Sequence, residues 1–328
     1  MEGFGAVQEL TRSDTGLWSI TVGPLEPELW GYYFNVNGVR TLDPNNSLHK
    51  RDGTRVECIL LIPGEASALY ETREVPHGSL SKVWYESPTL NLTRRMYVYT
   101  PPGYENSSDS YPVLYLLHGS GGDEDAWSTL GRTCQILDNL IAQARAKPMI
   151  VVMPNGNETQ AGTPGEIPTM AAQAGAAGVP GMGGARFAAS LVSDIVPYIE
   201  NNYRVVANKD NRAIAGLSMG GGHTIMVTTS NPGLFSYIGV FSSGPREGYR
   251  VEYDDNFKSE MAALERSGVT LYWVGCGVDD AVAETGAKNL VETLEEYGFN
   301  YYYRESTGGH TWANWRIYLS ELAPLLFR

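Results

Sequence analysis

The stretch Gly216-Leu217-Ser218-Met219-Gly220 decides the fold that we predict from this sequence. It follows the apolar run Ala213-Ile214-Ala215, which predicts a buried strand, and it precedes residues 221–229, which can continue as a helix. A serine on such a sharp strand-to-helix turn has its hydroxyl exposed, and the flanking glycines fit where a larger side chain would not. The pattern makes Ser218 the candidate nucleophile.

A serine hydroxyl becomes an effective nucleophile only when a base takes its proton, so a histidine is expected nearby. The chain has five histidines. His310 lies between the last predicted strand and the C-terminal helix, where an α/β-hydrolase places its base. We therefore predict His310 as the base, and we expect solvent-facing or packing positions for the others: His49, His77, His118 and His223.

The base needs a carboxylate that fixes its tautomer, and in this fold the acid comes between the serine and the histidine in chain order. The predicted strand 271–275 runs into Cys276-Gly277-Val278-Asp279-Asp280. Two adjacent aspartates cannot both point at one imidazole, so residue order alone leaves the choice between them open. Asp254 and Asp255 are expected to cap a helix or lie in a loop.

Acyl transfer also requires backbone N–H groups that stabilise an oxyanion. We predict one from Met219, which follows the nucleophile, and one from Ser120, with Gly121 as the alternative donor and substrate contact. Trp127 is a candidate wall of the acyl pocket, and covering the core is its alternative role. No metal-ligand spacing is present, and no cofactor is predicted.

From about residue 81, apolar strand-like runs alternate with helix-like stretches, which predicts an α/β fold with a mainly parallel sheet covered on both faces.

Residues 1–67 contain short strand signals without a convincing helix and predict a small β-sandwich, joined through a polar linker at 68–80 to an α/β domain at 81–328. The Gly- and Ala-rich segment 156–187 is either a tolerated insertion or a lid or substrate-binding loop. The predicted strands are 95–100, 113–117, 149–153, 213–217, 238–242, 271–275 and 301–304, and the predicted helices are 133–146, 188–201, 219–229, 284–297 and 312–327.

The composition narrows the classes of partner. Thirty-seven acidic and 24 basic residues give a net charge of −13, which argues against nucleic acid and anionic membrane surfaces. The N-terminus lacks the basic and apolar segments of a signal peptide, and no apolar run approaches the length of a membrane span. The chain as given is expected to be soluble.

Together these motifs resemble carbohydrate esterase family one, in the esterase D-like branch of the α/β-hydrolases. The resemblance covers about residues 80–328, and the spacing after Cys276 in such esterases favours Asp280 as the acid. The N-terminal part is similar to the immunoglobulin-like (early-set) carbohydrate-binding module of family 48, although its first strands are missing. The matching segments are Tyr99–Tyr104, Leu116–Gly122 with Trp127, Asp194–Ile199, Gly216–Gly221, Gly275–Asp280 and Gly309–Trp312, and in the N-terminal part Gly16–Thr21, Gly23–Leu25 and Asp43-Pro44.

The resemblance implies a serine esterase that releases ferulate or another hydroxycinnamate from arabinoxylan, a plant cell-wall polysaccharide ester, in a secreted or periplasmic setting. The alternative on the same residues is an acetylxylan esterase. Acyl transfer to a sugar would need the same residues with water excluded, whereas formylglutathione-type thioester hydrolysis has no use for the fused β-module. A non-catalytic carbohydrate-binding protein on a hydrolase scaffold is the remote alternative, and its expected signature, a missing triad residue, is not found.

Overall fold

The structure is a computed structural model that describes residues 7–53, 55–163, 184–248 and 251–328. Within these residues its strands are β1 Thr11–Arg12, β2 Trp18–Ser19, β3 Leu29–Tyr32, β4 Phe34–Val36, β5 Val39–Thr41, β6 His49–Asp52, β7 Arg55–Leu61, β8 Ser79–Ser87, β9 Leu92–Thr100, β10 Val113–Leu117, β11 Ile150–Pro154, β12 Arg212–Leu217, β13 Tyr237–Phe241, β14 Leu271–Gly277 and β15 Tyr301–Ser306. Its helices are α1 Ala126–Thr129, α2 Thr133–Ala142, α3 Ala185–Ser190, α4 Val196–Asn202, α5 Met219–Ser230, α6 Asp255–Arg266, α7 Glu284–Glu296 and α8 Trp312–Leu322.

One eight-stranded sheet, in the order β15-β14-β13-β12-β10-β11-β9-β8, carries the candidate catalytic residues at its strand ends. The six strands from β15 to β11 in this order are parallel, and β9 and β8 extend the sheet antiparallel. All residues of β10, β11 and β13 are buried, because helices cover both faces. The predicted mainly parallel α/β sheet is confirmed.

Two apolar layers cover the sheet. On one face the core includes residues of α3 to α7, such as Ile225 and Leu290, and on the other it includes residues of α2 and α8, such as Leu137 and Leu319. The predicted helix 188–201 is two α-helices joined by a π-helical turn, Leu191–Ile195. Asp254 caps α6, because its carboxylate accepts a hydrogen bond of 2.8 Å from the Phe257 amide.

The N-terminal strands form three small sheets, β1-β2, β3-β7-β6 and β4-β5. Leu29 and Ile59 from these strands pack in the same core as α2 and α8. Glu28 accepts hydrogen bonds from the buried Arg316 of α8 at 2.6 Å and from the Tyr70 hydroxyl at 2.7 Å. The N-terminal segment is therefore packed onto the α/β part of the chain, while the predicted early-set module and the boundaries at 67 and 80 stay predictions.

Most of the predicted loop 156–187 lies outside the described residues, so its role also stays a prediction. None of the helices that the structure describes has the length and hydrophobicity needed to span a bilayer.

Candidate active site

Ser218 lies at the turn between β12 and α5, in a backbone conformation with φ of 50° and ψ of −113°. A positive φ is strained for a residue with a side chain, and it turns the serine out of the strand-helix path. A Cβ on Gly216 would lie 2.3 Å from the Gly220 carbonyl oxygen, and a Cβ on Gly220 would lie 2.6 Å from the Leu117 carbonyl oxygen. Both glycines are thus required by close backbone approach, as the sequence pattern predicts.

Asp280, not Asp279, contacts His310. Nδ1 of His310 lies 2.9 and 3.0 Å from the two carboxylate oxygens of Asp280, which is fully buried three residues after the end of β14. The amides of Val282 and Ala283 also donate to the Asp280 carboxylate. Asp279 is exposed, and its backbone amide donates to the Gly308 carbonyl oxygen.

The hydrogen bonds around Asp280 keep it ionised. Burial raises the pKa of this carboxyl, but the hydrogen bond and charge of His310, together with hydrogen bonds from Ser242 and the Ala283 amide, lower the pKa below its ordinary value. An ionised, buried carboxylate holds the Nδ1–H tautomer of the imidazole and leaves Nε2 available as a base.

Ser218 and His310 both line one cavity of about 240 Å³. Among the hydrogen bonds of the described residues, none joins the Ser218 hydroxyl to His310. Such contacts are often long without substrate and shorten when substrate binds. The structure thus brings the three predicted residues to one edge of the sheet, and their catalytic roles stay a proposal.

Ser242 and Trp315 are two residues of this site that the sequence analysis did not single out. Nε1 of Trp315 donates a 3.0 Å hydrogen bond to the Ser242 hydroxyl, and the Ser242 side chain is one of the groups that lower the pKa of Asp280. The Trp315 ring also packs edge-on against the His310 imidazole, with centroids 5.0 Å apart. Neither residue lies in a recognisable motif, so only their contacts reveal them.

Removing the Ser242 hydroxyl is expected to lower kcat about tenfold with little change in KM, since this hydroxyl stabilises the charge of Asp280 and accepts a hydrogen bond from Trp315, which packs against His310. Two variants separate the hydroxyl from the backbone, because alanine keeps the Cβ that serine has at a φ of 48° and glycine removes it. We expect Ser242→Ala and Ser242→Gly to lose kcat alike in steady-state assays. A normal kcat in Ser242→Gly would show that the hydroxyl is dispensable.

The predicted oxyanion donors lie on two sides of Ser218. Ser120 lines the cavity together with Gly119 and Gly122, and Met219 is the first residue of α5, where a helix has amides without intrahelical acceptors. A Cβ on Gly119 would lie 3.4 Å from the Ser218 Cβ, so this loop passes close to the serine. The assignment of the Ser120 and Met219 amides to an oxyanion stays a prediction.

His118 holds the Ser120 loop and is not available as a base. Its Nδ1 donates to the Gly119 carbonyl oxygen at 2.7 Å, and its Nε2 accepts from the Gly156 amide at 2.8 Å. Burial lowers the pKa of His118, so the ring is neutral, as these two hydrogen bonds require. The loops after β10 and β11 are joined through this imidazole.

The structure places Trp127 and Gly121 outside the lining of the cavity, and their predicted contacts with substrate stay predictions. Of the described residues, Leu130, Trp312 and Trp315 form the apolar wall of the cavity, and Trp127 does not reach it. Trp127 is buried behind Trp312, with ring centroids 5.2 Å apart, and its Nε1 donates to the Leu117 carbonyl oxygen. Trp127 thus has the alternative role, a core residue. Gly121 is likewise absent from the lining and lies against the β6-β7 hairpin.

That hairpin, formed by β6 and β7, supplies the second wall. Four of its charged side chains line the cavity: Lys50, Asp52, Arg55 and Glu57. The strand signals of this segment predicted a separate sandwich, since no local pattern shows that two N-terminal strands face a serine more than 150 positions later.

Comparisons with known proteins identify the family of this chain. The family model named Esterase matches residues 87–326. The chain belongs to the Esterase family. It is 32% identical over 329 residues to an endo-1,4-beta-xylanase/feruloyl esterase of Xylanibacter ruminicola, covering 97% of this chain and 41% of that protein. It is 30% identical over 223 residues to an esterase of Mycobacterium tuberculosis strain H37Rv, covering 66% of this chain and 44% of that protein. The esterase chain described here therefore spans less than half the length of these two curated relatives.

Solved esterase structures share the fold. A family-one ferulic acid esterase from the anaerobic fungus Anaeromyces mucronatus superimposes with a TM-score of 0.64 at 25% identity, over 86% of this chain and 98% of that one. The feruloyl esterase module from Clostridium thermocellum, complexed with sinapinate, has a TM-score of 0.64 at 21% identity, over 81% and 93% of the two chains. The predicted α/β-hydrolase fold, the esterase class and the resemblance to carbohydrate esterase family one are confirmed, and the carbohydrate-binding module stays a prediction.

Proposed function

We propose that this esterase releases ferulate or a related hydroxycinnamate from arabinoxylan side chains by an acyl-enzyme mechanism. The observation that carries the proposal is the two-sided cavity at Ser218. One wall is aromatic and apolar, from Trp312, Trp315 and Leu130, and the other is charged, from the β6-β7 hairpin. An ester that joins an aromatic acid to a sugar matches both walls.

The proposed mechanism uses Ser218, His310 and Asp280, which lie at the same edge of the sheet. Ser218 attacks the ester carbonyl while His310 takes its proton, and Asp280 stabilises the imidazolium that forms. The oxyanion is stabilised by the amides of Met219 and Ser120. His310 then protonates the departing sugar alkoxide, and a water molecule activated by the same imidazole hydrolyses the acyl-enzyme.

The aromatic wall favours a hydroxycinnamoyl over an acetyl group. Trp312 and Trp315 pack edge to face with ring centroids 5.1 Å apart, and Trp127 supports Trp312 from behind. Such an ordered aromatic surface contributes binding energy to a planar ring and little to a methyl group. The names of the Xylanibacter and Anaeromyces relatives, which include feruloyl or ferulic acid esterase, support the same acyl group.

A direct comparison of rates tests the proposal against its alternative, acetylxylan esterase. We expect kcat/KM for methyl ferulate to exceed that for methyl acetate, and ferulate to be released from arabinoxylan faster than acetate from acetylated xylan. The reverse order would favour the acetyl group and overturn the proposed acyl preference.

Replacing Trp312 by alanine is expected to raise KM for methyl ferulate about tenfold, because the ferulate ring loses an aromatic contact. The KM for an acetate ester should change much less. Trp18→Ala is the matched control, because Trp18 is 59% exposed and lies outside the cavity lining. Equal effects of Trp312→Ala on both esters would mean that this ring does not contact the acyl group.

A further inference from the structure

The tip of the β6-β7 hairpin places two opposite charges on the cavity wall. Asp52 at the end of β6 is paired in register with Arg55 at the start of β7. Both side chains are exposed, and both line the cavity that contains Ser218 and His310. In the same hairpin, Glu57 lies 3.0 Å from Arg40 and 3.8 Å from Lys50, so its charge is balanced within the N-terminal strands.

The hairpin is held against the loop that carries Ser120. Nη2 of Arg51 donates a 2.6 Å hydrogen bond to the carboxylate of Asp123, which is 2% exposed and lies three positions after Ser120. Hydrogen bonds between ionised groups of this kind are among the stronger ones in proteins. The anchor therefore gives the hairpin tip a defined position relative to the catalytic serine.

Gly53 brings the two backbones into direct contact. Its φ is 58°, and a Cβ at this position would lie 2.7 Å from the Gly121 carbonyl oxygen. No other residue type fits such an approach without a shift of one backbone. Gly53 is thus packed on the loop that carries Ser120.

A carboxylate beside a guanidinium offers hydrogen-bond acceptors and donors within one small surface. Neighbouring hydroxyl groups of a sugar can donate to the carboxylate and accept from the guanidinium at the same time. Because the two charges are opposite, this surface favours a neutral polyol over a strongly charged ligand. A simple alkyl alcohol has only one hydroxyl group and would make fewer of these contacts.

We propose that Asp52 and Arg55 form a subsite for the alcohol part of the ester, and that its ligand is a neutral, polyhydroxylated sugar. This inference rests on the proposed function, since it assigns the leaving group of that reaction to the hairpin wall. It makes the N-terminal segment part of the substrate site, in contrast to a separate binding module.

The test uses two esters of the same acid that differ only in the alcohol, feruloyl arabinose and methyl ferulate. For the wild-type chain we expect a higher kcat/KM on the sugar ester. Asp52→Ala and Arg55→Ala should each lower the ratio of kcat/KM for feruloyl arabinose to that for methyl ferulate about tenfold, as expected when a hydrogen bond to a charged group is lost. Thermal unfolding should be nearly unchanged, since both side chains are exposed.

Lys288→Ala is the control, because it removes an exposed charge on α7 outside the cavity and should leave the ratio unchanged. A wild-type ratio retained in both hairpin variants would overturn the subsite while leaving the ferulate esterase standing. Failure of the wild-type chain to hydrolyse either ferulate ester would instead overturn the proposed function.

Discussion

Replacing Ser218 by alanine is expected to lower kcat on methyl ferulate by about 10³-fold or more, because no other group can form the acyl-enzyme. Steady-state assays with enough protein to detect the residual rate provide the measurement. The fold should be retained, since the side chain is small and lies on a cavity wall. Circular dichroism and thermal unfolding should match the wild type.

Ser230→Ala is the matched control for this change, because Ser230 is the last residue of the same helix, α5, and is exposed. It should have normal activity. A fluorophosphonate should label the wild-type chain at Ser218 and should not label the alanine variant. Near-normal turnover by Ser218→Ala, or a wild-type chain without an adduct at Ser218, would contradict the mechanism and favour a non-catalytic scaffold.

Replacing Asp280 by asparagine is expected to lower kcat by about 10³- to 10⁴-fold, the scale seen when the acid of such a triad becomes an amide. The buried carboxylate accepts the Nδ1 proton of His310 at 2.9 Å. An amide can present its NH₂ group there, which favours the tautomer with the proton on Nε2 and removes the base that Ser218 needs. Single-turnover kinetics with a ferulate ester would show the loss in the acylation step.

The neighbouring residue provides the control. Asp279→Asn changes the same chemistry one position earlier, on an exposed side chain with no hydrogen bond to His310 among those of the described residues. It should keep nearly full activity, so the pair of variants tests which aspartate is the acid. A large loss in Asp279→Asn with a small one in Asp280→Asn would reverse the assignment.

The lowered pKa of Asp280 also predicts a pH effect on stability. A carboxyl whose pKa is lower in the folded state stabilises the fold at pH values above the ordinary aspartate pKa of about 3.9, and this contribution is lost as the pH falls through its lower, folded value. In Asp280→Asn this acid-dependent part should be absent. The measurement is the free energy of unfolding as a function of pH in the wild-type chain and in Asp280→Asn. If this free energy fell equally steeply with pH in both proteins below pH of about 4, the prediction would be contradicted.

Most of the α/β sheet was predictable because its strands are short apolar runs between helices, as β10 and β12 show. The edge strand β8 was missed, since six of its nine residues are exposed and it begins within the polar segment taken as a linker. Helix α6 was not predicted, and Asp254 was expected either to cap a helix or to lie in a loop. A strand at the edge of a sheet with many exposed polar residues has only a weak hydrophobic pattern. Whether it forms depends on pairing with the neighbouring strand.

The sequence by itself determined the strand-to-helix turn at Ser218. Every turn of this kind needs glycine beside the serine, so Gly216 and Gly220 are recognisable from the sequence pattern alone. It also placed His310 after the last strand, and its likeness to known esterases selected Asp280. Only the tertiary structure decided what surrounds these groups. Trp127 belongs to the core and Trp312 to the cavity, and the β6-β7 hairpin completes the charged wall. The physical reason is that these positions depend on packing and ion pairs between distant segments, such as Arg51 with Asp123, for which no short stretch of sequence carries a signal.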